Sequence, residues 1–238
     1  MALAGPVAGN ASPASAYKVG TMARRIAPTG PFDWRGSREH TLKVTVWYPA
    51  QPSVKEVALE VPPAAPLWQA GMAAPEAPPA APPKGFPLIV LSHGTGGAGI
   101  QLAWLGTALA RRGFVAAAVN HPGNNDEEPS TLEGFTLRWL RARDLSAVID
   151  GLLADKDLGR LIDPKRIGAA GFSLGGFAVM TIAGARSDIP GFLRYCAGHR
   201  EACVPPPELA NVNQEIEAKA RADASFRAGS RACGRIVS

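Results

Sequence analysis

Cysteine is scarce. Three residues, Cys196, Cys203 and Cys233, occur in 238 positions, too few for a disulfide scaffold. Cys196-x2-His199-x3-Cys203 brings metal-type side chains together, but the spacing fits no standard zinc pattern and supplies no fourth ligand, so no metal is expected. A local disulfide fits an exported chain, and free thiols fit one that is not. Long apolar runs are also missing. Nothing approaches the roughly 18 consecutive apolar residues that a membrane-spanning helix needs, so no transmembrane segment is expected. The start, Met1 to Ala8, is small and apolar without a basic leader or a solid hydrophobic stretch. Ala11 to Ala16 has the composition of a signal-peptide tail, so export and cytoplasmic residence both stay open. Dense basic runs are absent too. The net charge is +5, yet the arginines and lysines are scattered and carry no interleaved aromatics, which reads as solvated surface and not as a nucleic-acid footprint.

The chain does hold enough apolar residues, 46%, for one sizeable domain. Residues 1–40 are rich in Ala, Gly, Pro and Ser and read as a flexible N-terminal arm, with the folded domain over 41–238. Leu42 to Tyr48 alternates apolar and polar, the pattern of a half-buried antiparallel strand, and Val54 to Val61 reads as its neighbour. Residues 62–84 hold eight Pro and eight Ala in 23 positions and read as a mobile insertion without a core. Phe86 to Ser92 and Phe114 to Val119 are continuous apolar runs, as expected of strands buried on both faces. Helical periods follow over Ile100 to Arg112 and Thr136 to Ala154. A third strand spans Arg166 to Ala170, with a helix over Gly176 to Ala185. Arg141, three residues before Asp144, suggests an intrahelical pair. Strands alternating with helices predict an α/β fold: a mostly parallel, doubly wound sheet with helices on both faces.

The chemistry gathers where these strands end, because ligands sit at the carboxyl edge of such sheets. Gly171-Phe172-Ser173-Leu174-Gly175 has the form G-x-S-x-G of a nucleophile elbow, in which a strained turn presents a serine between a strand and a helix. The motif alone is weak. Here a strand precedes it, a helix follows it and a glycine-rich turn, His93-Gly94-Thr95-Gly96-Gly97, lies upstream. Ser173 is the candidate nucleophile. The backbone N–H groups of Thr95 and Leu174 are the candidate oxyanion hole. The bland reading of 93–97, a plain glycine turn before a helix, is the weaker one once the elbow is present. A dinucleotide or phosphate site is set aside, since the turn lacks G-x-G-x-x-G spacing and a Walker lysine.

These motifs resemble a known group, the α/β-hydrolases of the dienelactone hydrolase and platelet-activating-factor acetylhydrolase-like family. The resemblance is carried by Leu91 to Gly97, Asn120-His121-Pro122-Gly123, Arg141-x-x-Asp144-Leu145-Ser146, Gly171 to Gly176 and Trp47-Tyr48-Pro49. It covers roughly residues 42 to 230. It implies esterase chemistry on small ester substrates, short acyl esters or lactones, without a cofactor.

The pattern departs after the serine. In this fold the catalytic acid and histidine follow the nucleophile. Only 65 residues follow Ser173, with one histidine, His199. Residues 187–230 read as a lid-like helical insertion, and the chain reads as a member whose last strands, acid and base are absent. His121 and His199 are the two weak candidates for a base. The bland reading of His121, fixing its own loop, is favoured, and chain order argues against His199. Asp188 and Asp223 would orient such a base. His93 reads as structural and His40 as exposed. The alternative function is a catalytically inactive fragment or an acyl-ligand-binding remnant.

Overall fold

The computed structural model describes residues 17–62, 65–82, 84–186, 188–202 and 212–224. Among these, seven strands form one mixed sheet: β1 (Lys18–Ile26), β2 (Leu42–Ala50), β3 (Val57–Val61), β4 (Trp68–Pro75), β5 (Phe86–Ser92), β6 (Val115–Val119) and β7 (Ile162–Gly171). Their spatial order is β3-β4-β1-β2-β6-β5-β7. β5 pairs in parallel with β6 and β7, and β2 runs antiparallel to both β6 and β1. The helices are α1 (Ala103–Arg111), α2 (Leu132–Thr136), α3 (Arg141–Ala154), α4 (Leu174–Ile182), α5 (Ile189–Gly198) and α6 (Val212–Ala222).

β6 shows why the sheet is coated on both sides. Its residues are all buried, and successive side chains point to opposite faces. Val115, Ala117 and Val119 pack with Leu145, Val148 and Leu152 of α3. Ala116 and Ala118 pack with Leu102 and with Ala103 and Ala110 of α1. Each large aliphatic side chain buried in this way contributes about 1.5–3 kcal/mol. The α1 side is lined with alanine and glycine because the helix lies close: a Cβ on Gly106 would overlap the ring of Trp47 in β2. The chain runs from β5 to β6 on one side of β5 and returns to β7 on the other. Right-handed crossovers then put α1 and α3 on opposite faces. The crevice beyond the carboxyl end of β5 is the switch point at which α/β sheets bind ligands.

Three expectations are corrected. The arm of residues 1–40 contains β1, which lies inside the sheet between β4 and β2. Its alternation is broken because Ala23 and Arg25 are the exposed positions, Arg24 pairs with Asp155 at 3.0 Å, and Gly20 leaves room for the ring of Tyr48. The Ala/Pro-rich stretch 62–84 contains β4, whose small residues bring it against β1 and α1. β3 pairs with β4, not with β2. In the stretch expected to be lid-like, α5 and α6 are helical, and Lys219 of α6 forms a 2.8 Å ion pair with Glu133 of α2. Cys196 in α5 is disulfide-bonded; Cys203 and Cys233 lie outside the described residues. No helix among the described residues is long and apolar enough to cross a membrane.

Candidate active site

The three parallel strands end level with one another. Ser92 is in register with Val119 on one side and with Gly171 on the other. The residues that follow, His93 to Gly97, Asn120 to Asn125 and Phe172 to Leu174, therefore meet at one rim. Phe172 N–H extends the ladder by donating to Ser92 O at 3.1 Å.

The chain then reverses sharply. Ser173 has φ 52° and ψ −119°, and α4 begins at the next residue. Such a conformation costs a non-glycine residue about 1–3 kcal/mol and persists only where the surroundings impose it. Here they do. Gly175 N–H donates to Phe172 O at 2.8 Å and Gly176 N–H to Ser173 O at 2.9 Å. A Cβ on Gly175 would sit on the Ser92 carbonyl, so only glycine lets the first turn of α4 close on the end of β5. Ser173 is exposed, and no described side chain hydrogen-bonds its hydroxyl.

The turn at 93–97 lies alongside. A Cβ on Gly94 would stand 3.5 Å from Cβ of Ser173 and 3.3 Å from the ring of Phe172. Thr95 is exposed at the tip. Neither the Thr95 nor the Leu174 N–H finds an acceptor among the described residues, and Leu174 opens the positive end of the α4 dipole. The structure thus brings Ser173, Leu174 and the 93–97 turn to one place.

The two candidate bases lie elsewhere. His121 is fully buried. Its Nδ1–H donates to Asp144 Oδ2 at 2.7 Å, which leaves Nε2 to accept from the Ser92 hydroxyl at 2.8 Å. Both ring nitrogens are engaged within the buried cluster, so neither is turned to Ser173 as a base. Ser92, His121 and Asp144 repeat the pairings of a catalytic triad, yet at 0% exposure Ser92 is closed to any substrate. His199 is exposed at the end of α5, stacked on Tyr195 with its Nδ1 3.0 Å from Tyr195 O. Asp188 caps α5, accepting from Gly191 N–H. His40 stacks on Trp34.

Beneath the rim is a polar cluster that local spacing does not reveal. Arg35, 1% exposed, reaches both carboxylate oxygens of Asp144 at 2.8 Å. Burial opposes ionisation of Asp144, but the Arg35 charge and the His121 hydrogen bond outweigh it and hold its pKa below the usual carboxylate range. Burial pushes His121 down to about 4 against the pull of Asp144. Burial, together with His121 and Arg141, pushes His93 to about 2. Both rings are neutral at pH 7. His93 Nε2 accepts from the His121 N–H at 3.3 Å, and its Nδ1–H faces Gly94 O at 2.7 Å. Arg141 does not pair with Asp144 as their spacing suggests. It donates to His93 O at 2.7 Å, to Gly94 O at 3.4 Å and to Asn124 Oδ1 at 3.0 Å. Burial lowers its pKa only to about 10, so it stays cationic. One signal was legible: Arg141, Leu145, Val148 and Leu152 share a helical face, which places a charge on the buried stripe. Nothing local points to Arg35. Among the described residues no cluster of side chains suits a metal ion.

This fold, with a strained serine turn at its switch point, is the α/β-hydrolase fold, and the proteins the chain is similar to are ester hydrolases. A solved ferulic acid esterase from Streptomyces cinnamoneus matches with a TM-score of 0.56 and 30% identity, over 73% of this chain and 57% of that one. More narrowly, residues 69–130 match the family model of platelet-activating factor acetylhydrolase, isoform II. Lipase 1 of Moraxella sp. (strain TA144) is 36% identical over 89 residues, 37% of this chain and 25% of the lipase. Cutinase est1 of Thermobifida alba is 32% identical over 103 residues, 42% of this chain and 31% of the cutinase. The matches thus span between a quarter and just over a half of these relatives' lengths.

Proposed function

We propose that the chain carries the nucleophile and oxyanion hole of a serine hydrolase acting on carboxylic esters, short acyl esters or lactones. The observation that carries this reading is the backbone of Ser173, held at φ 52° beside the 93–97 turn. In the reaction proposed, Ser173 Oγ attacks the acyl carbon and its proton passes to a base. The N–H groups of Thr95 and Leu174 take the charge that forms on the carbonyl oxygen. The tetrahedral intermediate expels the alcohol, which leaves with the proton, and water then releases the acid from the acyl-enzyme. By chain order in this fold the base belongs after α4. His199, with its Nδ1 beside the Tyr195 carbonyl, is the weaker place to look for it.

The test is hydrolysis of p-nitrophenyl acetate by the full chain and by its Ser173→Ala variant. The variant is expected to hydrolyse the ester more slowly than the full chain. Equal rates would remove Ser173 from the reaction and leave an acyl-ligand-binding role.

A further inference from the structure

We propose that Arg141, acting with Asn124, is the positioning residue that sets the oxyanion turn. The proposal rests on reading Ser173 as the nucleophile and Thr95 N–H as a donor to the oxyanion. Arg141 needs no contact with substrate for this role. Its guanidinium lies on the buried side of the turn, 1% exposed. Nη1 donates to the His93 carbonyl at 2.7 Å, and Nη2 reaches the Gly94 carbonyl at 3.4 Å. In a trans peptide the C=O of one residue and the N–H of the next point in opposite directions. Drawing the Gly94 carbonyl inward therefore turns the Thr95 N–H outward, on the side where Ser173 stands.

Asn124 completes the clamp. Its side-chain oxygen accepts from Gly96 N–H at 2.7 Å and from Arg141 Nη2 at 3.0 Å. Its backbone carbonyl also faces Arg141 Nη2, at 3.3 Å. The peptides on both sides of Thr95 are thereby fixed from below by one fork and one amide, together with the His93 ring, whose Nδ1–H faces the Gly94 carbonyl at 2.7 Å. Asn124 is itself held in a loop that Glu128 ties together, accepting from Gly123 N–H at 2.9 Å and from Asn125 Nδ2 at 2.8 Å. The fork matters as much as the charge, because only a planar guanidinium spans two successive carbonyls and an amide oxygen at once. A donor preset in this way need not reorganise when charge appears on the substrate, which is the source of most oxyanion-hole catalysis.

The experiment uses the full chain with Arg141→Lys, Asn124→Ala and Asn124→Asp, and Ser173→Ala as the blank. Two readouts are taken: p-nitrophenyl acetate kinetics and backbone amide exchange at Gly96. Arg141→Lys and Asn124→Ala are expected to lower kcat by about 100-fold with KM changed by no more than about two-fold. Both are expected to speed exchange of the Gly96 amide while retaining a single cooperative unfolding transition. Asn124→Asp, which keeps the acceptor oxygen, is expected to restore Gly96 protection and to recover rate relative to Asn124→Ala. Wild-type kcat and wild-type Gly96 exchange in Arg141→Lys would overturn the proposal, as would a rise in KM alone. If the wild type proves no faster than Ser173→Ala, the nucleophile reading falls, and Gly96 exchange in Arg141→Lys decides the positioning role by itself. Lost protection in the folded variant upholds it, and unchanged protection overturns it.

Discussion

Ser173 holds a backbone conformation that suits glycine better than serine, at φ 52°, and it sits exposed with no described partner for its hydroxyl. A residue kept there for stability alone would be a glycine. Ser173→Gly is therefore expected to raise the free energy of unfolding relative to Ser173→Ala by about 1 kcal/mol through relief of strain, while neither variant hydrolyses ester. Urea denaturation of the two variants measures the difference, and a lower midpoint for the glycine variant would count against strain at this turn. At this scale the sequence is legible only where the chemistry is local. Ser173, Leu174 and Thr95 lie in short motifs whose glycines mark close approach. The partners of His121 are not local: Asp144 lies 23 residues on and Ser92 lies 29 residues back. Arg35 stands in a stretch with no periodicity at all. Burial on a helix face, as at Arg141, was the one available hint that a charge was structural.

Among the elements, α1 shows how tightly the two layers are fitted. Gly106 faces Trp47 of β2, whose ring occupies the space a side chain would need. Gly106→Ala would gain in helix propensity by up to about 1 kcal/mol, yet the overlap must push α1 or the indole aside at a cost of about 1–3 kcal/mol or more. Net destabilisation is expected, read as a lowered Tm; a raised Tm would mean that the layers can part freely. The strands that carried a continuous apolar run, β5 and β6, were readable because burial on both faces leaves no polar positions to confuse the pattern. β1 and β4 were not. In β1 the buried Val19, Met22 and Ile26 do not alternate strictly and in β4 the buried residues are alanines, so pairing partners, not side-chain pattern, decide their state. β4 in particular reads as linker because Ala and Gly are what close packing against α1 requires.

At the scale of the molecule, the neutral histidines under the rim set a pH limit. In the unfolded chain both titrate near 6.5. In the fold, His121 titrates at about 4 and His93 at about 2. Below about pH 6.5 the unfolded chain therefore binds more protons than the native one, and stability falls as pH falls. Each histidine contributes up to about 1.4 kcal/mol per pH unit down to its folded pKa. Asp144 works in the same direction at lower pH, since its lowered pKa makes it stabilising above the ordinary carboxylate range and less so as it is protonated. The urea midpoint is expected to decline steadily from about pH 7 to about pH 5. A midpoint that holds constant over that interval would show that the two rings are not buried and neutral.

The Arg35–Asp144 pair also bears on the order in which the protein can be made. The two residues are 109 positions apart. At about 5–20 residues per second, Arg35 leaves the ribosome roughly 5–20 s before its counter-ion exists. An arginine cannot enter an apolar core unpaired, so through that interval its guanidinium stays in water. The loop after β1 docks only once α3 has been synthesised. The segment between β1 and β2 that carries Arg35 is thus expected to dock late, and its docking completes the buried polar floor beneath the 93–97 turn.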